Sequence, residues 1–426
     1  MHPAMAPAHS VGLAACAQGP GAIRPHTTRM KPLWYRCWHW LCARTYYERI
    51  AVVHLERLPT AGPTLYVGLH RNGAVDGFIY HQVLPRGVFL ISTQLIQSFF
   101  ARLFFSGIAI ARKQDDEGRG QNNEALRQCA QHLADGGELI IFPEGTSSLG
   151  PSHLPFKSGA ARMALNALAQ GIPLRIVPLG IHYERAWTFR SKVEVVVGEP
   201  IATEFPTDLS ELGRLKELKR RITTALELVG ANFASAEAQQ DAERLAYVAT
   251  LGTPRSYFDS LKSLEAGVPK PVLARWRELE SQLAPRRVLL HQGVPLFPVG
   301  PWLLYTALLL VLGPIVLAGA LVNLPPLLAG RLAARKFADD RNVIALWRIL
   351  VGLPLFVIWF AVVTVALGLV PGWWWLGYAL LTLAALKSLY RVKKLAGTVW
   401  NGLAHRNLAK RVLEFHQSVL QTLPPA

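Results

Sequence analysis

Two short segments, well separated in the chain, carry the groups best able to do chemistry: His70-Arg71-Asn72-Gly73-Ala74-Val75-Asp76 and Phe142-Pro143-Glu144-Gly145-Thr146-Ser147. Histidine is the side chain most easily poised as a base near neutral pH. Asp76, six positions later, is placed to fold back over the turn and hold one ring nitrogen. It would fix the tautomer and stabilise the imidazolium, the logic of a His–Asp pair working without a serine. No serine elbow of the G-x-S-x-G type completes a hydrolase triad. The plainer alternative is a surface histidine with Asp76 capping the next helix. In the second segment Gly145 permits close backbone approach to a ligand, while Thr146 and Ser147 offer hydroxyls beside Glu144. Two cations join them. Arg112 ends the apolar run Gly107-Ile108-Ala109-Ile110-Ala111, and its planar fork suits a phosphate. Lys157 precedes a helix beginning near Ala160, a plausible anion seat. Each cation is alternatively an ordinary surface charge. Taken together, the groups suit deprotonation of a hydroxyl beside an anionic group.

The elements around these residues alternate. Val52 to Leu55, Thr64 to Gly68, Val88 to Ser92, Glu138 to Phe142, Ile176 to Leu179 and Val193 to Val197 read as strands. Helical stretches such as Asn123 to Ala134 and Gly159 to Ala169 lie between some of them. The alternation predicts an α/β domain over 51–230 with both sheet faces covered. Sites in such sheets lie at the carboxyl ends of strands, and both His70 and Glu144 immediately follow one.

The flanks read differently. Residues 1–30, rich in Ala, Pro, Gly and His, have neither a secretory signal nor an apolar span and are expected to be disordered. Residues 31–50 mix Trp34, Trp38 and Trp40 with Arg36, Arg44 and Arg49. They predict an amphipathic helix lying in a membrane interface or packed on its own domain. Residues 231–300 read as a polar helical connector. Over 301–390 two apolar blocks, Pro301 to Gly330 and Ile349 to Leu386, exceed the ~20 residues needed to span a bilayer. The second breaks at Pro371-Gly372 before Trp373, Trp374 and Trp375, a turn suited to a membrane interface. Arg331, Arg335, Lys336, Arg341 and Arg348 separate the blocks, and a basic tail over 391–426 follows. If positive charge stays cytoplasmic, each block goes in and comes back, and the catalytic part faces the cytoplasm. The first, with Pro314 near its middle and Pro325-Pro326 near its end, would then be a re-entrant hairpin, with a plain single span as the competing reading. A formal net charge of +17 on a chain that is 51% hydrophobic points to an anionic membrane face rather than nucleic acid. Cys16, Cys37, Cys42 and Cys129 show no disulfide or metal spacing, consistent with a reducing compartment.

With these residues in view, the chain resembles the glycerophospholipid acyltransferases of the lysophosphatidate and glycerol-3-phosphate type over about residues 50–230. The family's His/Asp block looks like His70 and Asp76. Its G-x-x-x-x-R block is matched by Gly107 and Arg112, and its F-P-E-G-T-x-S block by Phe142, Pro143, Glu144, Gly145, Thr146 and Ser148. Its apolar block with a proline looks like Ile176-Val177-Pro178-Leu179-Gly180. The commonest form of the first block has four residues between His and Asp; five stand here, as in a subset similar to fungal glycerol-3-phosphate acyltransferases with C-terminal membrane segments. The resemblance implies a mixed sheet flanked by helices, with a membrane-embedded C-terminal region. It also implies acyl transfer from acyl-CoA or acyl-carrier protein, as co-substrate, to a glycerol-phosphate hydroxyl, with no bound cofactor or metal. His70 and Asp76 would be catalytic. Arg112 would hold the acceptor phosphate, with Glu144, Gly145, Thr146 and Lys157 shaping its pocket. The acceptor stays open between 1-acyl-glycerol-3-phosphate, giving phosphatidate, and glycerol-3-phosphate; a non-catalytic lipid-binding module is the third reading.

Overall fold

The computed structural model describes residues 32–96, 99–110 and 119–423. The expected disordered segment 1–30 and Arg112 lie outside them. The chain opens with helix α1 (Leu33–Tyr46) and β1 (Arg49–Val53), then β2 (Thr64–Gly68), α2 (Val75–Val83), β3 (Val88–Ser92), α3 (Phe99–Phe104), β4 (Gly107–Ile110), α4 (Arg119–Ala134) and β5 (Glu138–Ile141). It continues through α5 (Gly159–Ala169), β6 (Arg175–Tyr183), β7 (Lys192–Val197) and α6 (Glu211–Val229). The seven strands form one mixed sheet in the order β1-β7-β6-β2-β5-β3-β4, in which only β6 and β7 pair antiparallel. This is the α/β domain expected from the alternation, with the mixed, helix-flanked sheet that the resemblance implies.

The register explains why distant segments meet. β2 lies between β6 and β5, parallel to both, with Tyr66 opposite Val177 on one side and Ile140 on the other. All five residues of β2 are buried, as parallel strands covered on both faces must be. Three neighbouring strands therefore deliver their carboxyl ends to one edge of the sheet. The segments leaving them begin with His70, Phe142 and, at the last residue of β6, Tyr183.

A second helical unit follows: α7 (Ala236–Ala249), α8 (Tyr257–Ser263) and α9 (Lys270–Leu283). Ser210, Ser235 and Ser256 cap α6, α7 and α8 through their side chains, each satisfying an otherwise orphaned N–H. This unit has its own core around Trp276, Tyr247 and Leu245, and Leu408, Val412, Phe415 and Val419 complete it. Those four lie on one face of α15 (Arg406–Thr422). The stretch read as a connector and the stretch read as a tail thus build one core together. Of the basic residues that made 391–426 look like a solvated tail, Arg406, Lys410 and Arg411 sit on the outer face of this amphipathic helix, and Arg391, Lys393 and Lys394 belong to the helix before it (Trp374–Ala404).

Between the two stretches run α10 (Trp302–Val322), α11 (Leu324–Phe337), α12 (Arg341–Trp347), a π-helical turn over Arg348–Gly352, α13 (Leu353–Gly368) and α14 (Trp374–Ala404). Trp302–Val322 and Arg341–Gly368 are long and apolar enough to cross a membrane, by length and composition. The first block reverses not at Pro314, through which α10 continues, but at Asn323, just before the Pro325-Pro326 pair. Pro298 meets Gly402 near one end of α10, while Asn323 meets Thr382 near the other, so α10 runs antiparallel to α14. α11 then returns along the π-turn, with Gly330 against Arg348 and Gly352 and the Phe337 ring on Trp347. The second block does turn at Pro371-Gly372, where Gly372 takes a positive φ of 113° that glycine alone adopts easily.

Candidate active site

His70 stands just past the end of β2, and its environment is set from three sides. From β5, the ring of Phe142 stacks flat on the imidazole, centroids 4.4 Å apart and planes 9° from parallel. Gly68 permits that approach, since a Cβ there would press on the Phe142 ring. From the same segment, Glu144 Oε1 accepts the His70 backbone N–H at 2.8 Å, and the Ser148 N–H donates to His70 O at 3.1 Å. Both backbone groups of His70 are thus held by the Phe142–Ser148 segment. The third side is Asp76, in the first turn of α2.

The Asp76 carboxylate is fully buried, and hydrogen bonds offset the cost of taking its charge out of water. Oδ2 accepts from His70 Nδ1 at 2.9 Å and from the backbone N–H groups of Arg71 and Asn72 at 2.6 and 2.9 Å. Oδ1 accepts from the Tyr183 hydroxyl at 2.5 Å. An ionised carboxylate only accepts, so the ring proton sits on Nδ1 and Nε2 is left with its lone pair. That is the tautomer a general base needs. Burial, and then the Asp76 charge, pushes the Tyr183 hydroxyl well above its ordinary pKa, so Tyr183 stays a donor. Asp76 therefore does not cap α2; its side chain turns back across the loop.

Glu144 is almost as deeply buried as Asp76, and its second oxygen accepts the Leu154 N–H at 3.2 Å. Desolvation raises its pKa above the usual carboxylate range, opposed by those backbone N–H groups and by Arg71. Its carboxylate is spent on loop backbone, so it shapes the site by fixing His70 rather than by facing the opening. Gly145 and Thr146 are exposed and do face outward. Gly145 has φ +75°, and a Cβ there would run into Lys157 Nζ, so the Lys157 ammonium lies over the Glu144-Gly145-Thr146 turn. The Lys157 N–H also donates to Pro143 O at 2.9 Å. His70, Asp76, Glu144, Gly145, Thr146 and Lys157 are therefore brought together at one sheet edge.

Three contributors carry no signal in a motif scan. Tyr183 ends an apolar strand and looks like core. Arg71, which motif spacing leaves unexplained, is nine-tenths buried; its guanidinium donates to Gly150 O at 2.8 Å. Desolvation pulls its pKa down, and the largest opposing influence is Glu144; Arg71 is the buried counter-charge to that carboxylate. Asn342, on α12 and far along the chain, donates through Nδ2 to Ser147 O and Oγ at 3.1 and 3.2 Å. Its own carbonyl lies against Gly73. The C-terminal helices thus supply part of the site wall.

Among the described residues no group of His, Cys, Asp and Glu is arranged to hold a metal ion. The arrangement can take a proton from a hydroxyl at Nε2 and stabilise the charge this places on the ring.

Residues 49–182 match the family model described as Acyltransferase. Glycerol-3-phosphate O-acyltransferase 2 of Saccharomyces cerevisiae is 41% identical over 85 residues, 20% of this chain and 11% of the relative. A 1-acyl-sn-glycerol-3-phosphate acyltransferase of Chlamydomonas reinhardtii is 28% identical over 144 residues, 33% of this chain and 42% of the relative. The chain therefore spans less than half the length of either. Among solved structures, the 1-acyl-sn-glycerophosphate acyltransferase of Thermotoga maritima aligns with a TM-score of 0.35 and 19% identity, over 47% of this chain and 81% of that one.

Proposed function

We propose that the chain moves a fatty acyl group from a thioester to a hydroxyl of a glycerol-phosphate acceptor, a reading supported by the match of residues 49–182 to the acyltransferase family model and by glycerol-phosphate acyltransferases among the relatives. The observation that supports it best is the His70–Asp76 pair, whose proton arrangement leaves Nε2 free. In this reading Nε2 takes the hydroxyl proton as the oxygen attacks the thioester carbonyl directly. Asp76 holds the tautomer and stabilises the imidazolium. Collapse of the tetrahedral intermediate breaks the C–S bond, and the imidazolium returns the proton to the departing thiolate. No acyl-enzyme forms and no metal takes part. Acyl-CoA or acyl-carrier protein is the proposed donor. Arg112 is assigned to the acceptor phosphate from its place in the sequence block, and Lys157, over the Gly145 turn, to the same anion.

The acceptor we favour is 1-acyl-glycerol-3-phosphate, giving phosphatidate. Glycerol-3-phosphate is the second reading, favoured by the five-residue His–Asp spacing and the yeast relative. The two apolar helices support a membrane protein entering by hairpins, with the sheet domain on the cytoplasmic face. Product analysis tests the assignment: membranes bearing the protein receive labelled acyl-CoA, or acylated carrier protein, with each acceptor in turn. Labelled phosphatidate from the lysolipid supports the first reading, and label only in lysophosphatidate from glycerol-3-phosphate replaces it with the second. No acylated product with either acceptor and either donor rejects acyl transfer to glycerol phosphates.

A further inference from the structure

Between the C-terminal hairpins and the sheet domain lies a cleft of about 1020 Å³, at the top of the roughly 300–1,000 Å³ range of small-molecule sites. Its floor is apolar, built from residues such as Gly319, Ala320, Leu327, Leu353, Phe356 and Leu386. Its polar side is basic: Arg331 and Arg335 from α11, Arg341 from α12 and Arg348 from the π-turn line it, against the carboxylates of Asp339 and Asp340. Asp340 is engaged as the cap of α12. Among the described residues none of the four arginines has a carboxylate partner. Arg341 lies over the Trp187 ring at 5.3 Å, and Arg348 donates to Trp187 O at 2.9 Å and to the Tyr46 hydroxyl at 3.3 Å.

We propose that this cleft seats one membrane phospholipid with a net negative headgroup, held as a bound lipid and not as a reactant. A soluble anion would leave the apolar floor in water, and a neutral lipid would leave uncompensated the excess of four guanidiniums over two carboxylates. A lipid carrying negative charge at the top of its chains satisfies both surfaces. The lining contains no residue from 70–76 or 142–157, because α12 stands between. One face of α12 gives Arg341 and Ile344 to the cleft; the other holds Ser147 through Asn342. A lipid filling the cleft therefore props α12 against the two loops of the candidate site. The binding claim is independent of the acyl-transfer reading; only the propping effect on turnover rests on it.

The test uses the full-length protein in detergent, equilibrated with equal amounts of dioleoyl-phosphatidylglycerol and dioleoyl-phosphatidylcholine. Lipid retained per chain is then counted after gel filtration. The expected result is about one phosphatidylglycerol per chain, preferred about tenfold or more and not displaced by inorganic phosphate. Ala320→Trp, filling the floor, should abolish retention. The double variant R331Q/R335Q, altered only at exposed rim positions, should retain lipid without preference, with melting temperature unchanged. Equal retention of both lipids by the unaltered protein, or unchanged preference in R331Q/R335Q, overturns the proposal. So does displacement by phosphate alone. A parallel arm offers lysophosphatidate and phosphatidate against phosphatidylglycerol; retention of those alone would make the cleft a substrate site and overturn the non-reactant claim. Turnover in phosphatidylcholine discs with and without phosphatidylglycerol adds the second readout: stimulation in the unaltered protein and none in R331Q/R335Q is expected. If no acceptor is acylated at all, the retention measurement still decides the binding claim.

Discussion

Asn72 and Asn323 are the same side chain buried in two different settings. Asn72 sits in the sheet domain, where Nδ2 donates to the Tyr47 hydroxyl and Ala186 O at 2.8 and 3.2 Å, surrounded by a close-packed core. Asn323 ends α10, where Nδ2 donates to Gly319 O and the Thr382 hydroxyl and Oδ1 accepts from Tyr378. Around Asn72, Nδ2 ties the loop to Tyr47 and Ala186 while the buried Oδ1 finds no partner. Around Asn323, one polar knot holds helices whose outer surfaces are bare: Leu310, Val311, Leu317 and Leu321 on α10 and Ile358, Val362 and Val365 on α13 are all exposed. The contrast teaches where each region's stability comes from. The sheet domain carries its own core, whereas the hairpins present an apolar exterior that needs covering from outside.

The strongest way to break this contrast is at the most determined point. His70→Ala should lower kcat by about 10²–10⁴-fold, with a melting temperature close to the parent, because the His70 backbone contacts to Glu144 and Ser148 survive. Near-parental turnover in the purified variant would remove the general-base reading. Next comes the Asp76 support. Tyr183→Phe leaves a buried acceptor short of a donor, costing about 1–3 kcal/mol of stability. It also strengthens Asp76 as a charge, so the acid limb of the kcat/KM profile should move to higher pH; an unmoved limb would make Tyr183 a packing residue only. The amide pair gives the direct comparison. Asn72→Leu should cost about 1–3 kcal/mol in chemical denaturation. Asn323→Leu, judged in detergent or lipid, should cost about 0.6 kcal/mol, the average for such bonds between membrane helices. Equal costs would mean the hairpins are as tightly specified as the core.

The pH-dependent effect concerns His182, beside Tyr183 on β6. Burial pushes its imidazole down to about 4, and Nε2 contacts Val229 O on α6 at 2.8 Å. A depressed folded pKa means the unfolded chain binds the proton first. The stabilising contribution is therefore complete above the ordinary 6.5 and is lost as pH falls from there towards about 4, at most on the order of 1 kcal/mol per pH unit. His182→Gln should flatten that part of the stability–pH curve, read by denaturant midpoints. An unchanged slope would assign the acid sensitivity to other groups, His153 first, since burial pushes it to about 3.

Legibility followed the same divide. Alternation and motif spacing located β2, β3, β5 and β7 within about a residue and placed His70 and Glu144 at strand ends, because a buried parallel strand writes itself as a continuous apolar run; β6 runs four residues past the expected Leu179, to Tyr183. The first strand was displaced: Val52–Leu55 was expected, and Arg49–Val53 forms, since β7 pairs with Arg49 and Ile50 as well. The support for Asp76 was invisible, because Tyr183 reads as one more core residue until the register sets β6 beside β2. Asn342 was invisible for another reason: no local pattern reports a contact between residues 195 positions apart. In the hairpins, apolar length was plain but the turn was not. Pro314 drew the expectation, yet a helix lined by other helices absorbs a proline, and Asn323 marks the true reversal.

The partnership of α15 with α7–α9 has a consequence for biogenesis. The core around Trp276 lacks Leu408, Val412, Phe415 and Val419 until residues 406–422 have been synthesised, long after α7–α9 leave the ribosome. The apolar helices α10 and α13 lie between these two halves of one core in the sequence, so they are synthesised before it closes. Docking of α15 would then act as a clasp on a translation product whose apolar midsection is already made, and premature release of the chain would leave α7–α9 exposed for quality-control proteases to find.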